Sequence, residues 1–207
     1  MNQSIEGHIS RKEQAGKRRQ AILESALGVF VQKGYMRTTV KDLAKAAGIS
    51  SGLMYHYFES KEHLFEEAIK QRSFLPQLRK ILEQNKNAPS RHILKTVGQE
   101  FLKFLKQQSG IMDLMMREGS SNEKLQAIWH QLALDGVTVL SNYLIARITR
   151  GELRPHSTTV TARCLFSSVL VLHFTKDILV SGKITEGQFI DELVDNLLDG
   201  IEVKGNN

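Results

Sequence analysis

Hydroxyl, imidazole and ammonium groups are concentrated in residues 39–61, whose sequence is TVKDLAKAAGISSGLMYHYFESK. Such groups hydrogen-bond to phosphate oxygens and to the edges of DNA bases. A glycine at position 52 allows close approach of the backbone to a ligand, while Leu53 and the methylene of Ser51 suit apolar contact with a thymine methyl. The residues that we predict to contact DNA are Thr39, Ser50, Ser51, Gly52, Leu53, Tyr55, His56, Tyr57 and Lys61.

The aromatic residues of this segment have a second interpretation, as core side chains of a small three-helix unit. We expect this role for Phe58, whereas Tyr55 and Lys61 are expected at DNA phosphates. His56 fits a base edge, a phosphate or a solvated surface equally well. The basic run at 17–19 either follows the DNA backbone and the adjacent minor groove or forms a frayed tail in solvent.

Capping residues divide the segment into two short helices and the start of another. Thr39 is followed three residues later by Asp42, which is the pattern of a capping box. Gly48 suits the left-handed residue that ends a helix, and Ser50 suits the cap of the next one. The remaining predicted boundaries are a second helix from Ser51 to about Phe58 and a further helix after its cap at Ser60. This order predicts a helix-turn-helix, whose second helix enters the DNA major groove.

The excess positive charge of the 207-residue chain lies around this segment. The net charge is +6, and residues 11–61 contain ten Lys or Arg and four Asp or Glu. The rest of the chain holds eighteen residues of each sign and is neutral. A phosphate-binding face produces such an asymmetry, although a solvated surface can do so as well.

Several classes of protein are disfavoured by the sequence. A single cysteine, Cys164, excludes an internal disulfide framework and a cysteine zinc site. We find no phosphate-binding glycine loop, nucleophile elbow or metal-spaced His/Cys cluster, so we expect neither an enzyme nor a cofactor. The first residues lack an apolar signal region, and the apolar run at 164–174 is too short to cross a bilayer, which predicts a cytoplasmic protein.

Helical periodicity continues to the end of the chain, and the fold class predicted is all-α with nine or ten helices. Apolar residues at 22, 26, 29 and 30 define the first helix, which Gly34 ends. Ser120 and Glu123 form a capping-box pattern for a long later helix. Outside the segment 39–76, the helices are predicted at 17–33, 77–86, 90–108, 111–117, 121–149, 158–181 and 186–202.

The residues of the helix-turn-helix carry a resemblance to a known family. Thr38-Thr39-Val40, Ala47-Gly48-Ile49-Ser50, Tyr57-Phe58 and Ser60-Lys61-Glu62 resemble the pattern of the TetR family of bacterial transcriptional regulators. The resemblance is strong over residues 17–72 and departs from the pattern at Ser51 and Leu53. It implies an N-terminal helix-turn-helix domain and a larger C-terminal helical bundle. The predicted divisions are a frayed arm at 1–16, a DNA-binding domain at 17–62, a connecting helix at 63–76 and a ligand-binding and dimerisation domain at 77–207.

The resemblance implies a homodimer that binds a palindromic DNA operator, and the last two predicted helices offer a surface for it. The run LFSSVLVLHF, within 158–181, is apolar nearly all round. The helix at 186–202 carries two adjacent apolar stripes, one of which a partner chain would cover. A single larger protomer core is the alternative. The stripe residues are Phe189, Ile190, Leu193, Val194, Leu197, Leu198 and Ile201.

The resemblance also implies a small-molecule effector bound among the helices between residues 77 and 180, whose binding releases the protein from DNA. The methionines suggest an apolar or amphipathic ligand, because methionine adapts to varied shapes. Arg117 and Glu118 could neutralise a charged ligand or form surface ion pairs. Candidate lining residues, each also compatible with ordinary core packing, are Phe101, Leu105, Met112, Met115, Met116, Trp129 and His173. The predicted function is a ligand-released repressor; the alternatives are a constitutive DNA-binding protein without a ligand and a protein-interaction module.

Overall fold

A computed structural model of the chain describes residues 11–179 and 184–200. Within these ranges the chain forms ten α-helices and no strand, which confirms the predicted all-α class. The helices are α1 (Arg11–Lys33), α2 (Val40–Ala46), α3 (Ser51–Tyr57), α4 (Lys61–Gln71), α5 (Leu75–Gln84), α6 (Ser90–Gln107), α7 (Ser109–Glu118), α8 (Glu123–Thr149), α9 (Thr158–Leu179) and α10 (Glu186–Asp199).

Helix boundaries differ from the sequence-based ones at several points. Helix α1 begins at Arg11, so residues 11–16 are helical although they were expected in a frayed arm. Gly110, expected between two helices, lies within the first turn of α7. The cap predicted at Ser120 is wrong: the Asn122 Oδ1 accepts hydrogen bonds from the backbone N–H groups of residues 124 and 125, at 3.0 and 3.2 Å. An amide oxygen directly before the helix reaches these free N–H groups, which is why Asn122 takes the capping role.

The chain forms two compact units. The first unit contains the residues up to Arg72 together with Asp113–Gln126. Its core contains Phe30, Tyr35 and Phe65, all at most 3% exposed. The ring of Phe65 lies edge-on to both others, with centroids 4.9 Å apart in each pair. Edge-to-face aromatic pairs add to the free energy of area burial, so this cluster joins α1 and α4 beneath the helix-turn-helix.

The second unit contains Ser73–Met112 and the described residues from Ala127 onward. Its core is built where α6 packs against α9 and α10. Gly98 of α6 lies so close to α10 that a Cβ placed on it would meet Ile190 Cγ2 at 2.7 Å. Beside this contact Asp195 accepts from Lys95 at 3.0 Å and pairs with Arg91. These cations hold the pKa of the Asp195 carboxyl below its usual value.

Helix α9 is strongly apolar, although only a third of its most apolar window is buried within the protomer. The window Thr158–Thr175 has a mean hydropathy of 1.2, and 33% of it is buried. By length and composition alone the window could cross a membrane, and core helices of other proteins satisfy the same test. The helix is kinked at Thr175, whose φ of −119° and ψ of 15° are not helical. Its inner face packs in the second unit, so its outer face requires another explanation.

Candidate nucleic-acid interface

The turn between α2 and α3 has the hydrogen-bond pattern of a Schellman motif. Gly48 has a φ of +65°, its N–H donates to Lys45 O at 3.2 Å, and the Ile49 N–H donates to Ala44 O at 3.0 Å. Ser50 follows immediately and accepts from the Leu53 N–H at 3.1 Å. A left-handed glycine and a serine cap thus reverse the chain within four residues, as the sequence predicted, and place α3 directly after α2.

The first turn of α2 is held by the predicted capping box. Thr39 Oγ1 accepts from the Asp42 N–H at 3.2 Å, while the Asp42 carboxylate accepts from the Thr39 N–H at 2.8 Å. The Lys33 ammonium also donates to this carboxylate, at 2.5 Å. Hydrogen bonds from Lys33 and Thr39 hold the pKa of Asp42 far below its usual value. In the free chain the Thr39 groups predicted to contact DNA are therefore engaged in the cap.

Helix α3 presents one face to the core and the opposite face to solvent. Met54 and Phe58 are each 2% exposed, which confirms the core role expected for Phe58. Tyr55 is 56% exposed and stands on the outer side. The residues predicted to contact DNA divide accordingly: Ser50, Ser51, Gly52, Tyr55 and His56 are exposed, and Leu53 and Tyr57 are half-buried at the margin.

Gly52 lies on the exposed face of α3, at a position where the fold does not require glycine. Its φ is not positive, and a Cβ placed on it would meet only Ser50 Oγ, at 4.0 Å. A glycine within a helix costs roughly 1 kcal/mol relative to alanine. Neither backbone geometry nor packing needs glycine at this position, and its small size leaves the backbone of α3 open to close approach from outside.

The ammonium of Lys61 points back toward the chain before α2. It donates to Tyr35 O and to Thr38 O, both at 3.1 Å, and lies 4.4 Å from the centroid of the Tyr35 ring. The sequence suggested a phosphate contact for this lysine and gave no sign of these partners, because they are 23 and 26 residues away along the chain.

The turn at 34–38 has a second partner that sequence reasoning missed. The Glu118 carboxylate accepts from the Met36 N–H at 3.0 Å and lies directly over Gly34. Gly34 has a φ of +88°, and no Cβ could fit between it and this carboxylate. Nearby, Lys124 pairs with Glu62 at 3.4 Å, within the same unit. The residues after Met112 thus take part in holding the turn that leads into α2.

Part of the basic run in α1 is committed to the protein itself. The guanidinium of Arg19 lies 4.8 Å from the centroid of the Phe58 ring and pairs with Glu67. Lys17 and Arg18 are exposed. The structure therefore assigns Arg19 a role in joining α1 to α3 and α4, and leaves Lys17 and Arg18 at the surface as candidates for phosphate contact.

The seven residues proposed for effector binding are divided between the two units. Phe101, Leu105, Met112, Trp129 and His173 belong to the second unit, whereas Met115 and Met116 belong to the first. Leu105, Met112 and Met115 are buried, Phe101, Trp129 and His173 are half-buried, and Met116 is 63% exposed.

Phe101 belongs to an aromatic cluster of the second unit, some of whose members are far apart in sequence. Its ring centroid lies 5.1 Å from that of Phe74 and 5.0 Å from that of Phe166. Phe104, one turn along α6, lies 5.5 Å from Phe74. The spacing of 101 and 104 was a visible signal, but Phe74 and Phe166 come from distant parts of the chain. In the described residues no three His, Cys, Asp or Glu are grouped as metal ligands.

The outer face of α9 carries a stripe of exposed residues. Val160 is 56% exposed, Val171 is 49% exposed and Phe174 is 37% exposed, and Cys164 and Ser167 between them are also exposed. Their spacing alternates between four and three residues, which is the spacing of a helix-packing seam.

One of the two apolar stripes predicted for α10 lies in the core, and the other lies at the margin of the core. Ile190, Val194 and Leu198 are at most 1% exposed, whereas Phe189, Leu193 and Leu197 are half-buried. Ile201 lies outside the described residues, as do 180–181 and 202 of the two predicted dimer helices.

Comparison with known proteins places this geometry in context. Residues 22–68 match the model of the bacterial regulatory proteins of the tetR family. A probable acrEF/envCD operon repressor of Escherichia coli K12 is 28% identical over 123 residues, which cover 56% of this chain and 54% of the relative. The transcriptional repressor KstR2 of Mycolicibacterium smegmatis is 45% identical over 57 residues, which cover 28% of each chain.

Structural similarity extends over most of the chain. The regulator FadR from Bacillus subtilis, solved in complex with stearoyl-CoA, superposes with a TM-score of 0.68 at 21% identity and covers 88% of this chain and 99% of its own. At this identity the likeness concerns the fold. The chain spans about half the length of the first curated relative, and the closer identity to KstR2 is confined to a much shorter stretch.

Proposed function

We propose that the chain, whose residues 22–68 match the tetR family of bacterial regulatory proteins, is a sequence-specific DNA-binding repressor of transcription in the cytoplasm. The observation that carries the proposal is Gly52, an exposed helical glycine that the fold itself does not require. The similar proteins of Escherichia coli and Mycolicibacterium smegmatis named above are repressors, which supports repression over activation. We propose no catalytic activity.

The proposed interface is the exposed face of α3 together with the ends of its neighbours. Tyr55 and His56 would reach phosphates or base edges, and Gly52 would let the helix backbone lie close to the groove. Ser51 and Leu53 offer little hydrogen bonding to bases. We therefore propose that DNA shape and deformability contribute to sequence selection along with direct contacts.

Specific binding would use two copies of the chain. One helix-turn-helix has a small footprint, and two copies related by a twofold axis bind the two halves of a palindromic operator. The exposed stripe from Val160 to Phe174 on α9 is the proposed dimer surface, with Phe189, Leu193 and Leu197 of α10 at its side. Covering this stripe with a second copy removes apolar surface from water, which favours association.

An apolar or amphipathic effector is proposed for the second unit. The cluster of Phe74, Phe101, Phe104 and Phe166 supports this class of ligand, as does the stearoyl-CoA bound by FadR. Trp129, the single tryptophan, belongs to the same unit and provides an intrinsic fluorescence signal. Stearoyl-CoA is expected to change this fluorescence and to reduce DNA binding, with acetyl-CoA as the control that keeps the head group. Equal effects of both compounds would reject the apolar effector and point to the shared head group, whereas no effect of either would favour a constitutive DNA-binding protein.

Selection from a pool of random DNA duplexes tests DNA binding itself. The purified chain should enrich a palindromic motif, and its affinity for the enriched duplex should fall steeply as the salt concentration rises, because bound lysines and arginines release counterions. Failure to enrich any duplex, with no salt-dependent retention of DNA, would favour the alternative of a protein-interaction module.

A further inference from the structure

Lys61 occupies an unusual position for a lysine, the first residue of helix α4. The N-terminal end of a helix carries a partial positive charge, so an ammonium group there gains nothing from the helix dipole. The first turn of α4 is already capped by Ser60, which accepts from the His63 N–H at 3.0 Å. Lys61 is therefore unnecessary for the start of its own helix, and its contribution lies in what its side chain contacts.

Those contacts enclose the ammonium on three sides. It donates to two backbone carbonyls of one turn, Tyr35 O and Thr38 O, each at 3.1 Å. The Tyr35 ring lies 4.4 Å away and adds the attraction between a cation and an aromatic face. An ammonium has three N–H groups, and two of them are used by these carbonyls. Lys61 is consequently poorly placed to act mainly through phosphate.

In the turn that it holds, the Thr38 hydroxyl donates to Gly34 O at 2.6 Å, whereas one backbone bond is weak. The Thr38 N–H donates to Tyr35 O at 3.3 Å, which is long for a backbone hydrogen bond. Thr38 O and the Thr39 N–H belong to one planar peptide unit, so the ammonium that fixes the carbonyl also fixes the direction of that N–H. This N–H is half of the capping box that begins α2. Lys61 thus acts, through one peptide plane, on the helix that precedes α3.

We propose that Lys61 is a positioning residue of the DNA interface, which fixes the turn at 35–38 and the start of α2 and does not act chiefly as a phosphate contact. The inference rests on the proposed DNA-binding function. It differs from the direct contact predicted from sequence, because a positioning residue leaves the number of neutralised phosphates unchanged when it is replaced.

The test compares three variants of the full chain. Lys61→Met removes the ammonium and keeps the length of the side chain, and Lys61→Arg restores donors for the carbonyls. Lys70→Met is the matched control, since Lys70 lies exposed on the same helix and pairs only locally with Glu66, at 2.6 Å. Circular dichroism first verifies that each variant is folded.

Two measurements then decide the outcome. Hydrogen exchange of the free protein over residues 34–43 should be at least about fivefold faster in Lys61→Met, partly restored in Lys61→Arg and unchanged in Lys70→Met. Binding to a duplex enriched from the random pool should weaken by about tenfold in Lys61→Met, as expected for loss of a charged hydrogen bond. The slope of log affinity against log salt should match the wild type.

A direct phosphate contact gives a different pattern. The magnitude of the salt slope would then fall by about 0.9 for each bound copy, or about 1.8 for the dimer, in Lys61→Met. Either that fall or unchanged exchange over 34–43 would overturn the proposal. If the wild-type chain enriches no duplex, the DNA-binding function fails, whereas the exchange measurement still decides whether Lys61 holds the turn. The two failures are therefore distinguishable.

Discussion

The Glu118 carboxylate lies over Gly34, on the turn between α1 and α2, and its Oε2 accepts from the Met36 N–H at 3.0 Å. The contact needs a residue without a Cβ at position 34, and the φ of +88° there needs glycine for a separate reason. Glu118, the last residue of α7, thus connects that helix to the N-terminal segment within one compact unit.

Gly34→Ala is expected to destabilise the protein by about 1–3 kcal/mol, because an alanine at positive φ is strained and its methyl group displaces the carboxylate. Urea unfolding measures the change. Gly28→Ala is the control: Gly28 lies within α1, near Gly34 in sequence, with no neighbouring atom within 4 Å of its Cβ position. Glu118→Ala should lose part of the same stability by leaving the Met36 N–H without its acceptor. Equal stability of Gly34→Ala and Gly28→Ala would show that neither the backbone strain nor the displacement of Glu118 occurs in solution.

Local signals explain why the helix-turn-helix was predictable. The left-handed turn at Gly48, the serine cap at Ser50 and the capping box of Thr39 with Asp42 each depend on residues within five positions. Such bonds are determined by residue type and spacing. The same reasoning failed at Ser120, because Asn122 offers a better acceptor nearer to the helix and the two patterns overlap in sequence.

Val171→Asp is expected to convert a dimer to a monomer at micromolar concentration, because it places a charge within the exposed stripe of α9. Leu134→Asp is the matched control, since Leu134 on α8 is 50% exposed and Val171 is 49% exposed. Light scattering measures the mass. The same change should also lower the affinity for a palindromic duplex. A wild-type chain that is already monomeric, or two variants with the same mass, would contradict the proposed surface.

Cys164 provides an independent check of that surface. It is exposed on the same stripe and is the single cysteine of the chain. In a twofold interface equivalent residues near the axis face one another. A short bis-maleimide should therefore join two copies of the wild type through Cys164 and leave Cys164→Ser unlinked. Little crosslinking at concentrations where the protein is dimeric would place the axis elsewhere.

Acid sensitivity is expected from the contact of α6 with α10. The pKa of Asp195 is lowered from the ordinary 3.8 by hydrogen bonds from Lys95 and Arg91. A carboxyl whose folded pKa is lowered stabilises the folded state above its unfolded pKa, and that stability is lost as pH falls below about 4 toward the folded pKa. Asp195→Asn should therefore be less stable than the wild type at pH 7 and lose less stability between pH 5 and pH 2. Glu192→Gln, exposed on the same helix, is the control. Parallel stability curves for Asp195→Asn and the wild type would refute this assignment.

The remaining parts of the site could not be predicted, because they depend on contacts between distant residues. Lys61 meets carbonyls of residues 35 and 38, and Glu118 meets a turn 82 positions earlier. No periodicity in the sequence indicates such pairs. Each residue also had another plausible role, a phosphate contact for Lys61 and a ligand contact or surface ion pair for Glu118. The Phe101 cluster has the same origin, since its partners Phe74 and Phe166 approach only in the folded second unit.

Gly52→Ala, compared with Gly28→Ala, tests most directly whether the exposed face of α3 binds DNA. Both changes replace an exposed helical glycine that has no close neighbour, so both should raise the free energy of unfolding by roughly 0.5–1 kcal/mol. We predict that Gly52→Ala alone weakens binding to the enriched duplex, by about tenfold or more, because its methyl group separates α3 from the groove. Equal affinity of the two variants, at equal or increased stability, would contradict the account.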